Sequence, residues 1–342
     1  MIQRYLHVYR FTAIMEGRVR SRLLAIAWLA MAPAFANAQA PAMRPGEYPS
    51  RPVRFIIPLP PGGSPDTIAR TIAAEINWPH PVVVENRTAG GRVLAADLVA
   101  KSAPDGHTWF LTTDNIVAVI PQLEKTPYHP LKDFSPVTLT ARFQFLLVVH
   151  PSVPAKTVQE LVALARSKPG SLNYGSSGNG SAQHLGTALL QYMTGIDMTH
   201  VPYKGAVPAL MDLLPGRIHV FIGAANQLLP QTKEGKLRLL AAAGAQRSPL
   251  LPDVPTIAES GVAGYHFDVW SGVLMPAKVP PPIVAKAATD ITRVLNTPAT
   301  KAKLSAQGID VETSSPQALA RLIREDYERW GKVIRATGIR AE

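Results

Sequence analysis

The sequence predicts an α/β fold in which mainly parallel sheets carry helices on their faces. Three observations predict it. Short apolar strands alternate with helical stretches over most of the chain. The central helices are each followed by a glycine, at Gly195, Gly216 and Gly235, as helix ends require. The loops that follow the strands are short, small and polar, as expected where strands empty into helices. At 342 residues the chain has room for two domains.

The elements follow in order. Arg18, Arg20 and Arg22 precede an apolar run from Leu23 to Phe35 and then Ala36-Asn37-Ala38, a charged region, an apolar region and a small-residue cleavage site. Residues 1–38 therefore read as a secretory signal cleaved near Ala38, with an uncleaved anchor as the other use of that run. There is no twin arginine, which favours the general secretory route, and Met15 is an alternative start. After a Pro-rich lead, strands are expected at Val53–Pro58, Pro81–Val84 and Thr108–Thr112, with helices at Pro65–Ile76 and Arg92–Ser102. Phe145–Val149 reads as a strand, and Thr157–Lys168 as a helix stopped by Pro169-Gly170. Strands at Leu172–Tyr174, Thr199–Val201, Ile218–Ile222 and Leu237–Ala242 then enclose helices near Ala182–Thr194, Val207–Leu214 and Gln227–Glu234.

Composition excludes several classes. The formal charge is +11, and loss of residues 1–38 removes five Arg and one Glu, leaving about +7. The Lys and Arg are scattered, with no dense patch and no aromatic interleaving, so nucleic acid is not an expected partner. There is no cysteine, which excludes disulfides, zinc–thiolate sites and a cysteine nucleophile. The nine His show no metal-ligand spacing, and no P-loop or dinucleotide fingerprint occurs, so neither metal nor cofactor is expected.

In parallel sheets ligands sit beyond the carboxyl ends of the strands, so the candidate residues lie in the loops there. The first is Pro58-Leu59-Pro60-Pro61-Gly62-Gly63-Ser64-Pro65-Asp66. Gly62 and Gly63 allow backbone N–H groups close to a ligand, Ser64 reads as an N-cap and Pro65 as the first helical residue. The positive end of the helix favours an anion, most plausibly a carboxylate. Asp66 either takes part or braces the loop, and a turn that holds nothing is the alternative reading. The second loop is Gly175-Ser176-Ser177-Gly178-Asn179-Gly180-Ser181, with hydroxyl donors at Ser176 and Ser177 and Ser181 as N-cap. Thr113, Tyr203, Lys204, Gly205 and Asn226 stand in further loops on the same side.

Taken together, these segments resemble the periplasmic solute receptors of tripartite tricarboxylate transporters, the Bordetella uptake gene family. The resemblance is carried by Tyr48-Pro49 through Asp66, Glu85-Asn86-Arg87 through Gly91, Ala103-Pro104-Asp105-Gly106, His150-Pro151-Ser152-Val153-Pro154, Leu172-Asn173-Tyr174 through Leu185, His200-Val201-Pro202-Tyr203-Lys204-Gly205 and Leu251-Pro252-Asp253-Val254-Pro255-Thr256. It implies a two-domain clamshell of the type II periplasmic-binding class. Residues 39–148 with 268–342 would form one domain and 149–267 the other, with the ligand cleft between them. It further implies a monomeric periplasmic receptor that delivers a small organic acid, aliphatic or aromatic, mono- or dicarboxylate, to membrane permease subunits. Pro61, Gly62, Gly63 and Asp66 would hold a carboxylate from one lobe and Ser176, Ser177, Gly178 and Ser181 from the other. Arg92 departs from the smaller residue usual after Gly90-Gly91 and is read as facing solvent, a distal carboxylate being its other use. Ala224-Ala225 stands where some members have an acidic or polar residue, and Leu59 where a bulkier aromatic is frequent.

Two other functions fit the same chain. A solute sensor would use the same clamshell. A hydrolase using Ser181 or Ser177 with His184 lacks the Gly-x-Ser-x-Gly elbow and an acidic third member.

Overall fold

The structure, a computed structural model, describes residues 48–340 except 60, 89–90, 248–250 and 308. The export segment expected at 1–38 lies outside them. The chain begins with β1 (Val53–Ile57), α1 (Ser64–Glu75), β2 (Val82–Asn86), α2 (Gly91–Ala100) and β3 (Thr108–Thr113). A π-helical turn (Asn115–Val119) and a short helix α3 (Ile120–Leu123) lead to β4 (Phe134–Phe143). Next come β5 (Phe145–Val149), α4 (Val158–Ser167), β6 (Asn173–Ser176), α5 (Ala182–Thr194) and β7 (Thr199–Pro202). These are followed by α6 (Ala206–Leu213), β8 (Val220–Ala224), α7 (Ala225–Lys233) and β9 (Arg238–Ala242). The last part holds β10 (Val269–Pro276), α8 (Pro281–Leu295), α9 (Pro298–Ser305), β11 (Asp310–Val311) and α10 (Pro316–Thr337).

The strands form two sheets, ordered β11-β4-β10-β3-β1-β2 and β7-β6-β8-β5-β9. In the first, β2, β1 and β3 pair in parallel, while β10 runs against both β3 and β4. In the second, β6 pairs in parallel with β7 and β8, and β5 runs against β8 and β9. Four strands of each sheet thus share one direction, and the main strand opposing them is the one by which the chain has just crossed over. The first crossing is a single residue, Gln144, between β4 and β5. A chain that leaves one sheet at a carboxyl end and enters the next without turning runs away from the first sheet. The other four strands of the second sheet, antiparallel to β5, therefore point back toward it. The carboxyl ends of both sets face one another, and their loops share the space between.

Local chemistry explains most element ends. Ser181 caps α5 by accepting from the His184 N–H, and Thr157 caps α4 by accepting from the Glu160 N–H. Ser64 is not the cap of α1. That position falls to Gly63, and Ser64 and Pro65 open the helix. The sequence reading left β4, β10, α8, α9 and α10 without boundaries. The strands β4 and β10 lie side by side inside the first sheet; β10 is buried along almost its whole length and shows no polar alternation, whereas β4 alternates apolar and polar residues from Val137 to Arg142.

Helix α10 joins two cores. Its Leu319 and Ile323 pack with Phe110 and Trp270 of the first sheet. Its Trp330, Val333 and Ile334 share a cluster with Phe145 of the second sheet, Leu185 of α5 and Phe267. Between these ends lies a buried polar knot. Asp326 accepts from Trp270 Nε1 at 2.7 Å and from Arg329 at 2.6 Å, and Arg329 also donates to the His266 carbonyl at 2.8 Å. Asp114, 4% exposed, follows β3 at the same place. Burial first and the Asp326 carboxylate second push its carboxyl up to about 8, so it is neutral at pH 7.

A raised carboxyl pKa favours the folded state most below the unfolded value and loses that contribution as pH rises to the folded value. The melting temperature of the wild type should therefore fall relative to Asp114→Asn as pH rises from about 4 to about 8, then run parallel to it. The slope is at most about 1.4 kcal/mol per pH unit. A difference independent of pH would show that Asp114 is charged in the folded protein.

Candidate functional site

Pro61, Gly62 and Gly63 form an exposed loop between β1 and α1. Gly62 has φ +86°, a conformation open to glycine, and its N–H points back into the loop to donate to Asp66 Oδ2 at 2.9 Å. The same carboxylate accepts from Arg70 Nε and Asn86 Nδ2, both at 2.9 Å. Burial opposes its charge, but Arg70, the Gly62 N–H and Asn86 outweigh it and hold the carboxyl below its ordinary range. Asp66 thus braces the loop, one of the two roles its position left open, and the Gly62 N–H is spent on it.

The serine loop is tied down from beneath. Ser176 is fully buried, with its Oγ 2.6 Å from His200 Nε2 and bonded to Gly178. His184 accepts from the Gly180 N–H at Nδ1, 3.1 Å away. Its ring stacks on His200 at 4.0 Å, and His200 stacks on Tyr174 at 4.9 Å. Burial, then the neighbouring His200, push His184 down to about 4, so it stays neutral and keeps Nδ1 free to accept. Gly180, at φ +67°, is pressed so closely to α3 that a Cβ would lie 2.8 Å from Leu123 Cδ1. Ser177 donates to Gln183 Oε1 at 2.8 Å and Ser181 is occupied as the helix cap. Neither serine is paired with the His184 ring, so the hydrolytic arrangement weighed from sequence is not assembled.

The remaining candidates are spread along the same rim. Thr113 ends β3 opposite Ser271 of β10. The Tyr203 hydroxyl turns away to donate to Asp212 at 2.9 Å, and burial with that carboxylate pushes it up to about 12. Gly205 caps α6 at φ +123°, with Lys204 exposed just before it. Asn226 is exposed at the start of α7.

Two cavities gather part of this set. In one, of about 340 Å³, Ser177, Gly178, Ser181, Tyr203 and Lys204 face Arg92 and Asn115. Asn115 Nδ2 crosses to the Gly180 carbonyl at 3.4 Å, and Arg92 donates to Asn115 Oδ1 at 3.3 Å. In the other, of about 290 Å³, Asn226 and Gln227 face Ser64 and Pro65 around Phe143 and Phe145. Pro61, Gly62, Gly63, Asp66, Thr113, Ser176 and Gly205 line neither. Arg92, read as facing solvent, is exposed but stands on the wall of the first cavity. Its signal in the sequence is a cation directly after a glycine pair at a helix start. Asn115 and Gln144 carried no such signal. A larger cavity, about 490 Å³ beside Arg142, Asp268 and Glu312, holds none of the candidates.

Two α/β lobes whose strand-end loops meet over shared cavities define a two-domain solute-binding protein of the periplasmic type. The family model described as "Tripartite tricarboxylate transporter family receptor" matches residues 68–339, and the chain belongs to that family. A Pseudomonas sp. (strain P51) protein of the tcbD–tcbE intergenic region is 35% identical over 92% of this chain and 94% of its own. BugT of Bordetella pertussis is 33% identical over 93% and 98%. Among solved structures, a Rhodopseudomonas palustris protein with adipate is 37% identical, with a TM-score of 0.70 over 86% of this chain and 99% of its own. MatC of the same organism, with bound malate, is 33% identical, with a TM-score of 0.67 over 84% and 100%. Among the described residues no helix is long and apolar enough to cross a membrane.

A lowered histidine pKa stabilises the fold above the unfolded value and loses that contribution as pH falls to the folded one. Melting temperature should therefore drop as pH falls from about 6.5 to about 4, as a protonated Nδ1 ceases to accept from Gly180. In His184→Asn, where the amide oxygen can replace Nδ1 and does not titrate, the acid loss should shrink. Equal losses in both proteins would remove His184 from the acid response.

Proposed function

We propose that this chain is a periplasmic receptor that binds a small organic carboxylate between its lobes, releases it unchanged and hands it to the membrane subunits of a tripartite transporter. The export segment, cleaved near Ala38, would place it there. The lobes would be 39–148 with 268–342, and 149–267, closing about the crossings at Gln144 and before β10. The observation that carries this reading is the meeting of helix N-termini from both lobes over common cavities, in a chain of this receptor family. Such ends supply N–H donors and positive potential without a permanent countercharge, which suits an anion that must be released again. The adipate and malate of the two Rhodopseudomonas structures support a carboxylate. The serine loop with Ser177, Gly178 and Ser181 would contact it from one lobe, and the start of α1 after Pro61-Gly62-Gly63 from the other. Binding of the same anion by both lobes would favour the closed arrangement by the solute's greater affinity for it.

Thermal melting of the protein from Gln39 onward against mono-, di- and tricarboxylates, aromatic acids and amino acids tests this. An acid at a hundred times its dissociation constant adds about 2.7 kcal/mol. A stabilising set restricted to carboxylates, recovered chemically intact, is expected. Consumption of the acid, or stabilisation by amino acids and not by simple carboxylates, would overturn the reading.

A further inference from the structure

We propose that Arg92 and Lys204, one from each lobe, form a seat for a second anionic group, so that the receptor selects a dianionic solute over its monocarboxylate counterpart. This rests on the carboxylate-receptor reading above. Both side chains line the cavity of about 340 Å³ that the serine loop closes. Neither forms an ion pair among the described residues, and Lys204 has no side-chain hydrogen bond there. Arg92 is held only by Asn115, whose amide also reaches the Gly180 carbonyl, so one side chain links the guanidinium to the opposite lobe. One carboxylate, Glu124, lines the same cavity, which leaves a positive excess.

The positions of the two cations are unfavourable without an anion. Arg92 is the second residue of α2, and Lys204 directly precedes the Gly205 cap of α6. The start of α5, behind Ser181, opens onto the same space. A cation at the positive end of a helix is unfavourable, and here two of them share a cavity with three such ends. Two other helices carry the favourable sign there, Asp66 in the first turn of α1 and Glu160 in the first turn of α4. An anion seated between Arg92 and Lys204 is attracted by both cations and by the helix ends, and so offsets these repulsions. The second cavity, beside Ser64 and Asn226, carries no charged side chain and suits a more weakly held end of the solute. The two ends of the cleft thus differ in charge.

The test is calorimetric titration of the wild type, Arg92→Ala and Lys204→Ala with matched pairs: adipate and hexanoate, succinate and butyrate, phthalate and benzoate. The wild type should prefer the dianion of the pair it binds by about 10-fold or more, and each substitution should lower that preference by about 10- to 100-fold, the worth of a charge-assisted contact. Arg92→Lys should keep part of it. The preference should also fall with added salt in the wild type and less so in the variants. Both side chains are exposed, so their melting temperatures should stay near that of the wild type. A wild type that binds the monocarboxylate as tightly, or a preference unchanged in both alanine variants, overturns the proposal while leaving the receptor reading intact. Failure of the wild type to bind any carboxylate overturns both.

Discussion

The constraint on which the rest of this structure depends is the one-residue passage at Gln144. Because β4 ends at Phe143 and β5 begins at Phe145, there is no room for the chain to reverse between sheets. The direction of β5 then fixes the direction of every other strand in the second sheet through the antiparallel pairings with β8 and β9. From that single link follow the facing carboxyl ends, the cavities between them and the use of helix N-termini from both lobes. The return crossing places β10 between β3 and β4, antiparallel to both, so each sheet holds a strand supplied by the passage from the other. Helix α10 adds a third tie, with one end in each core.

The loops at those carboxyl ends are held by buried polar groups beneath them, which separates shape from contact. Asp66 gathers Gly62, Arg70 and Asn86, so the glycine loop keeps its form without spending surface donors on its own scaffold apart from the Gly62 N–H. His184 and His200 do the same for the serine loop, through Gly180 and Ser176. Both devices depend on protonation state, the carboxylate charged and the imidazole neutral. Asp66, Ser176 and His184 thus support the loops from within, while Ser177, Ser181, Tyr203, Lys204 and Arg92 stand at the cavity wall.

Charge is distributed unevenly along the cleft. At the start of α1 and α7 the walls are apolar and neutral, with Phe143, Phe145 and Val269 beside Asn226 and Gln227. At the start of α2 and α6 they carry cations from opposite lobes. The scattered excess of Lys and Arg in the whole chain conceals this, because only two of them face the shared space. A mean charge describes solubility and long-range steering, whereas selectivity is set by which charges lack a partner where a solute enters.

The sequence by itself determined the alternation of strands and helices, the capping of α5 by Ser181, the glycines after the helices and the family resemblance, since each rests on neighbours within a few residues. It also located the loops at the strand ends, because in a parallel sheet these follow directly from strand order. Only the tertiary structure decided which loops meet. Part of the candidate set stands at two cavities and the rest at neither, and Arg92 joined the wall of one, because that depends on how two sheets approach across more than a hundred residues of chain. The strands β4 and β10 escaped notice for the same reason. Each is a covered central strand whose partners come from distant segments, and β10 has no local period to mark it. Asp66 could be read as ligand or brace from its position; its bonds to the Gly62 N–H, four residues back, and to Asn86 on the next strand make it a brace of the loop, through geometry that spacing does not encode.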